Sequence, residues 1–159
     1  MRTRSAIVSF AVLTLISAAV LTAQAKPNFS GVWTMDPSKS DWGQLPAPET
    51  MTRTITHKDP LFKMVTVQAG GGTGERTIET TFSTDGKQTK NNILGDPMTS
   101  VGNWDGTTLV VLSTLTTQGF DVPIEDRYVL SPDKKTLTVT RKVTTPNGET
   151  VAKIVLVKK

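Results

Sequence analysis

Closely spaced turn residues constrain the fold of this chain more than any other sequence feature. Gly, Pro, Asn and Asp recur about every 8 to 12 residues, and the segments between them are rich in Thr and Val, a spacing typical of sandwiches and barrels. Asp85-Gly86 and Asp105-Gly106 are strong hairpin signals. No convincing amphipathic helix follows residue 25. The pattern therefore predicts an all-β fold.

The turn signals predict about ten strands, at residues 29–35, 50–58, 61–69, 75–83, 87–94, 98–104, 107–116, 120–130, 136–145 and 149–157. Tight turns make neighbours in sequence into neighbours in the sheet. An open meander of this length would expose two edges, and closure of the sheet removes them. We therefore predict an antiparallel up-and-down meander barrel. A β-sandwich is the alternative, although its crossings usually need long connections and only residues 36–48 form one.

The first 25 residues have the features of a secretory signal. Arg2 and Arg4 precede an uncharged run at residues 6–21, and Ala23-Gln24-Ala25 has the small-x-small form of a cleavage site. The run is shorter than the roughly 20 residues that cross a bilayer core. The sequence therefore predicts a signal peptide at residues 1–25, a single barrel domain at residues 26–159, and a periplasmic or secreted protein without a membrane span after cleavage.

Charge argues against a nucleic-acid partner. Loss of Arg2 and Arg4 with the signal lowers the net charge from +4 to +2. No stripe of Lys and Arg interleaved with aromatic residues is present either. We interpret Lys158-Lys159 as a solvated tail.

The residue inventory lacks the usual catalytic and metal-binding patterns. The chain has no Cys, which excludes thiol chemistry, disulfides and Cys-zinc sites. His57 is the one His and cannot form a multi-His metal site, so we interpret it as a surface or strand-end residue near Asp59. No Gly-x-Ser-x-Gly motif occurs. These observations predict a protein that is not an enzyme and has no catalytic residues, metal or cofactor.

Three segments carry a family resemblance. Phe29-Ser30-Gly31-Val32-Trp33-Thr34 contains Gly-x-Trp, Leu45-Pro46-Ala47-Pro48 is a Pro-rich connection, and residues 126–137 form a late hairpin. Together they resemble lipocalin-like, calycin-type secreted bacterial barrels of unassigned function. The resemblance implies a closed barrel in which Trp33 packs across one end under a late-chain Arg, either Arg127 or Arg141. The chain differs from fatty-acid-binding barrels because residues 36–48 contain no credible helix pair.

The hairpin at residues 120–145 predicts a charged pair on an apolar face. If Leu130 pairs with Leu137, then Tyr128 lies opposite Val139, and Asp126 lies opposite Arg141 at about 5 Å between Cβ atoms. One interpretation is an ion pair that fixes the register. The other is a polar anchor, in which Arg141 binds a ligand carboxylate or phosphate and Tyr128 donates a hydrogen bond beside it.

The leading functional hypothesis is an exported protein that binds a small apolar or amphipathic ligand inside the barrel. Its candidate ligand-binding residues are Trp33, Trp104, Tyr128, Val139 and Arg141. The alternative is a non-catalytic structural or protein-interaction module with a filled barrel and an unidentified protein partner. Trp42 and Leu45 could form a lid over the mouth of the barrel or fill its end.

Overall fold

A computed structural model describes residues 25–70 and 74–159. The predicted signal segment, apart from Ala25, lies outside these residues, as does the centre of the glycine-rich turn that begins at Gly70. The strands are β1 (Gly31–Met35), β2 (Thr50–Lys58), β3 (Leu61–Ala69), β4 (Arg76–Ser83), β5 (Gln88–Ile93), β6 (Asp96–Asp105), β7 (Thr108–Thr117), β8 (Phe120–Leu130), β9 (Thr136–Thr145) and β10 (Gly148–Lys158).

The strands form one antiparallel sheet in the order β4-β3-β2-β1-β10-β9-β8-β7-β6-β5. Every pair except β1 with β10 joins consecutive strands, so the sheet is an up-and-down meander. The curved sheet is a nearly closed barrel, which confirms the predicted barrel rather than the sandwich. Observed strand ends differ from the predicted ends by no more than two residues. In the described part of the chain no helix is able to cross a membrane.

Side chains alternate between the interior and the outer surface because successive residues of a strand point to opposite faces. On β2, Met51, Arg53, Ile55 and His57 are buried and the residues between them are not. We call the end formed by the turns after β2, β4, β6 and β8 the closed end. The open end is formed by the turns after β3, β5, β7 and β9 and by the connection at residues 36–49.

A side chain bridges the break between β4 and β5, the strands at the two edges of the sheet. The Asn91 Oδ1 accepts from the backbone N–H of Thr81 at 2.7 Å, and its Nδ2 donates to the Thr81 carbonyl at 2.9 Å. Towards the closed end β4 instead approaches β6 at Gly102, where a Cβ would lie 2.6 Å from the Ser83 carbonyl oxygen. The Asn91 side chain therefore makes the two hydrogen bonds to the Thr81 backbone that a neighbouring strand would otherwise make.

Replacing Asn91 with Ala should lower the free energy of unfolding by about 1 to 3 kcal/mol, because two hydrogen bonds are lost at a half-buried site. Asn91→Asp should also lose stability, because its carboxylate can accept from the Thr81 N–H but brings an oxygen against the Thr81 carbonyl. Urea denaturation of both variants measures the difference. Equal stability of the wild type and Asn91→Ala would show that the bridge contributes nothing to closure.

Candidate functional site

Aromatic side chains fill the closed end of the barrel. The rings of Phe62 and Phe82 stack with centroids 4.4 Å apart, and Phe29 stacks on Trp104 at 5.9 Å. Tyr128 packs against this cluster, with its ring centroid 5.7 Å from that of Phe62. The packed rings form the floor of the interior.

His57 belongs to the same cluster. It lies at the end of β2 with its Nε2 3.6 Å from Asp59, as expected, but its side chain is buried rather than at the surface. Its Nδ1 accepts from the backbone N–H of Phe29 at 3.3 Å. Burial lowers the pKa of His57, and the Asp59 carboxylate opposes that shift. His57 is therefore a packed residue of the floor.

Trp33 seals the closed end beneath Lys158. The indole of Trp33 is fully buried and its Nε1 donates to the Phe29 carbonyl at 2.9 Å. The Lys158 Nζ lies 5.3 Å from the ring centroid, within cation–π range. The expectation of Arg127 or Arg141 over Trp33 was therefore wrong. Lys158 is exposed, as predicted, but it belongs to β10 and pairs with Trp33, so it is not part of a tail.

The predicted register of the β8–β9 hairpin is confirmed. Leu130 pairs with Leu137, Tyr128 with Val139 and Asp126 with Arg141. Arg141 donates to both carboxylate oxygens of Asp126, from Nε at 2.8 Å and from Nη2 at 2.7 Å.

The Asp126–Arg141 ion pair lies at mid-height in the barrel, above the aromatic floor. The charge of Asp126 raises the pKa of Arg141, and burial raises the pKa of Tyr128 to about 12. The ion-pair interpretation of this face is therefore correct.

A second guanidinium, that of Arg53, lies in the interior and forms no ion pair with a carboxylate of the described residues. Arg53 on β2 is only 2% exposed, and its Nε and Nη1 have no hydrogen-bond partner. Burial lowers the pKa of Arg53, the positive charge of Arg141 adds to that shift, and the Asp126 carboxylate opposes it. Because both oxygens of Asp126 already bind Arg141, these three charged groups leave one uncompensated positive charge at mid-height.

A cavity of about 370 Å³ occupies the open end above this charge. Its wall is mostly apolar, and both Arg53 and Arg141 reach it from below. The apolar lining consists of Trp42, Leu45, Pro46, Pro48, Met51, Met64, Ile78, Ile93, Met98, Leu115, Ile124 and Val143. The interior is therefore filled at one end and hollow at the other.

The connection after β1 covers the mouth of this cavity. It first runs along β10, where Asp41 exchanges two backbone hydrogen bonds with Lys153 at 2.8 and 2.6 Å. It then turns, with the Leu45 N–H donating to the Trp42 carbonyl at 2.9 Å, and both side chains line the cavity. Trp42 and Leu45 therefore line the cavity at its open end.

A smaller polar pocket of about 40 Å³ lies below the cavity. Thr80 and Arg141 line both spaces, so the two spaces adjoin. In the pocket the hydroxyls of Ser100 and Ser113 bind each other at 2.8 Å, whereas the buried Thr80 Oγ1 has no partner. Hydroxyl and charged groups therefore concentrate at the bottom of the hollow half.

The five sequence-predicted site residues lie at different depths. Arg141 lines the cavity and the small pocket, and Tyr128 lines the small pocket. Trp33 and Val139 are fully buried in the core, and Trp104 is half-buried at the closed end, where its Nε1 lies 3.4 Å from Asp59. None of these last three lines the cavity.

Five polar residues that line the cavity were missed as site residues: Arg53, Thr66, Gln68, Arg76 and Thr80. The signal for Arg53 was present, because it interrupts the apolar inward face of β2 between Met51 and Ile55. Thr80 gave no signal, because threonine is common on both faces of these strands. In residues 25–70 and 74–159 no group of His, Cys, Asp and Glu could hold a metal ion.

Comparison with known proteins identifies the fold. No family model and no curated protein matches the chain. A zebrafish ileal bile acid-binding protein, solved with cholic acid, is similar over 82% of this chain and 98% of that chain, with a TM-score of 0.56 and 14% identity.

Two secretory abundant heat soluble proteins from Ramazzottius varieornatus are also similar. One matches over 87% of this chain and 100% of that chain (TM-score 0.64, 13% identity). The other matches over 86% and 97% (TM-score 0.62, 16% identity). The chain therefore has the lipocalin-like, calycin-type β-barrel fold.

Proposed function

We propose that this chain is an exported binding protein for a small amphiphile with one anionic group. The observation that carries the proposal is the guanidinium of Arg53, which is buried beneath an apolar cavity with its Nε and Nη1 unbonded. Buried charges are normally paired. An anionic head group would supply the missing partner, and the ligand tail would occupy the cavity.

Arg53 rather than Arg141 is the anchor in this proposal. Arg141 already donates from Nε and Nη2 to Asp126, so a ligand would have to displace that carboxylate. The Nε and Nη1 of Arg53 have no such competitor. A guanidinium presents donors in a planar fork that matches a carboxylate or a phosphate, and hydrogen bonds to charged groups contribute about 1.5 to 3 kcal/mol.

The cavity size limits the tail. At about 370 Å³ it lies near the lower end of the range of ligand pockets. If each methylene takes about the liquid volume of a water molecule, roughly 30 Å³, the cavity holds an acid of about ten carbons. Each buried methylene contributes about 0.8 kcal/mol, so tail length should control affinity up to the point where the cavity is full.

Two further observations support the proposal. The similar zebrafish protein is described as bile acid-binding, and cholic acid also combines an apolar body with an acid group. The basic start, the apolar run and Ala23-Gln24-Ala25 are the basis for proposing export to the periplasm or beyond.

Titration calorimetry with decanoate tests the anchor. Wild-type protein should bind decanoate, and Arg53→Gln should bind it about 10- to 100-fold more weakly, because a charge-assisted hydrogen bond is lost. The matched control is Arg127→Gln, which removes an outer-face guanidinium that binds Asp105 and should leave affinity unchanged. Binding of decanoate with equal affinity by Arg53→Gln and wild type would exclude Arg53 as the anchor. Absence of binding to decanoate and to decyl phosphate would favour a non-binding module.

A further inference from the structure

We infer that the preferred ligands carry a hydroxyl group close to the anionic head, and that Thr80 binds this hydroxyl in the small polar pocket. This inference rests on the proposed function, because it assigns the ligand class of the same cavity. The pocket of about 40 Å³ adjoins the floor of the cavity, and Thr80 and Arg141 line both. A ligand group that passes Arg53 therefore enters polar surroundings.

The volume of the pocket suits a single polar substituent. A cavity needs roughly 10 to 15 Å³ to hold one water-sized group, so 40 Å³ accommodates a hydroxyl and not a second tail. Its lining combines polar side chains, among them Ser100, Ser113 and Asp126, with apolar ones.

Thr80 supplies this pocket with a buried hydroxyl that has no hydrogen-bond partner. The hydroxyls of Ser100 and Ser113 bind each other, and the carboxylate of Asp126 is occupied by Arg141. The Thr80 residue is 8% exposed and its Oγ1 has no hydrogen-bond partner. A buried hydroxyl without a partner is unfavourable, and a ligand hydroxyl can both donate to it and accept from it.

The position of Thr80 relative to Arg53 sets where the ligand hydroxyl must be. Arg53 on β2 and Thr80 on β4 both point inward and are separated by one strand, β3. Arg53 pairs with Thr66 and Thr80 pairs with Met64, so the two residues are also offset by two positions along the strands and their backbones are about 12 Å apart. The long Arg53 side chain bridges part of this span, and both Arg53 and Thr80 line the same cavity. The hydroxyl should therefore be only a few bonds from the carboxylate, as in a 3-hydroxy acid.

Calorimetry with decanoate and 3-hydroxydecanoate tests the inference. Wild-type protein should bind the hydroxy acid about tenfold more tightly, the gain expected for one well-made hydrogen bond. Thr80→Val keeps the side-chain shape without the hydroxyl, so it should bind both acids with the same affinity. The matched control is Thr34→Val, which removes another buried hydroxyl without a partner, one outside the cavity lining, and should retain the preference.

The outcomes separate the two proposals. If the wild type binds both acids equally, or if Thr80→Val retains the preference, the inference about the hydroxyl is overturned while decanoate binding still supports the proposed function. If neither acid binds, the proposed function fails and the inference fails with it. A preference lost in Thr80→Val and retained in Thr34→Val is the supporting result.

Discussion

Replacing Asp126 with Ala is expected to lower the free energy of unfolding by about 3 to 5 kcal/mol. The substitution removes the carboxylate that binds Arg141. It leaves the buried guanidinium of Arg53 and the half-buried guanidinium of Arg141 without a compensating charge. Removing one partner of a buried pair is strongly destabilising because the other charge stays desolvated. Urea denaturation followed by tryptophan fluorescence provides the measurement.

Asp105→Ala is the matched control for this prediction. Asp105 also binds a guanidinium at 2.7 Å, that of Arg127, but its side chain is 70% exposed, whereas that of Asp126 is 8% exposed. Exposed pairs contribute about 0 to 1 kcal/mol, so this variant should lose little stability. A double variant, Asp126→Leu with Arg141→Met, should recover most of the loss. Similar losses in Asp126→Ala and Asp105→Ala would contradict the buried ion pair.

Replacing Arg53 with Met is expected to raise the free energy of unfolding by about 1 to 3 kcal/mol, the cost of leaving buried donors unbonded. Methionine is long, unbranched and apolar, so it can fill the space of the Arg53 stem between Met51 and Ile55. The same variant should lose affinity for decanoate. A gain in stability together with a loss of binding is the signature of a residue retained for ligand recognition.

Arg141→Met distinguishes this effect from a general benefit of methionine in the interior. It should lower the free energy of unfolding by about 3 to 5 kcal/mol, because it leaves Asp126 buried without its partner. The same substitution at two neighbouring guanidiniums should therefore have opposite signs. Lower stability of Arg53→Met than of the wild type would refute the prediction, and it would mean that Arg53 is satisfied in solution.

Local features explain why the strands and one site contact were predictable. A turn dipeptide and a period of two both act over a few residues, so they fix strand ends and the face of each side chain without knowledge of the rest of the fold. The β8–β9 register followed from the turn after Leu130, and it placed Asp126 opposite Arg141 correctly.

Contacts between residues that are far apart in the sequence were not predictable in this way. The alternation on β2 showed that Arg53 points inward, but not that the one nearby carboxylate would be occupied by Arg141. The residue over Trp33 was misassigned for the same reason, since Lys158 reaches it through the long-range pairing of β1 with β10. The interior is filled at one end and hollow at the other because of where each aromatic side chain lies along the barrel axis. That position depends on the registers of all the strand pairs in the sheet, which the sequence does not give locally.

The strand order has a consequence for how this barrel folds. Among the ten described strands, only β1 and β10 pair across a large sequence separation, and the backbone N–H of Lys159 donates to the Val32 carbonyl at 2.9 Å. The gap in the sheet falls instead between consecutive strands, β4 and β5. A circular permutant that joined β10 to β1 and began at β5 would make every pairing local. In the natural order, the pairing of β1 with β10 must overcome the greatest loop-closure entropy. Contacts between residues so far apart in the sequence raise the contact order, and a high contact order slows folding.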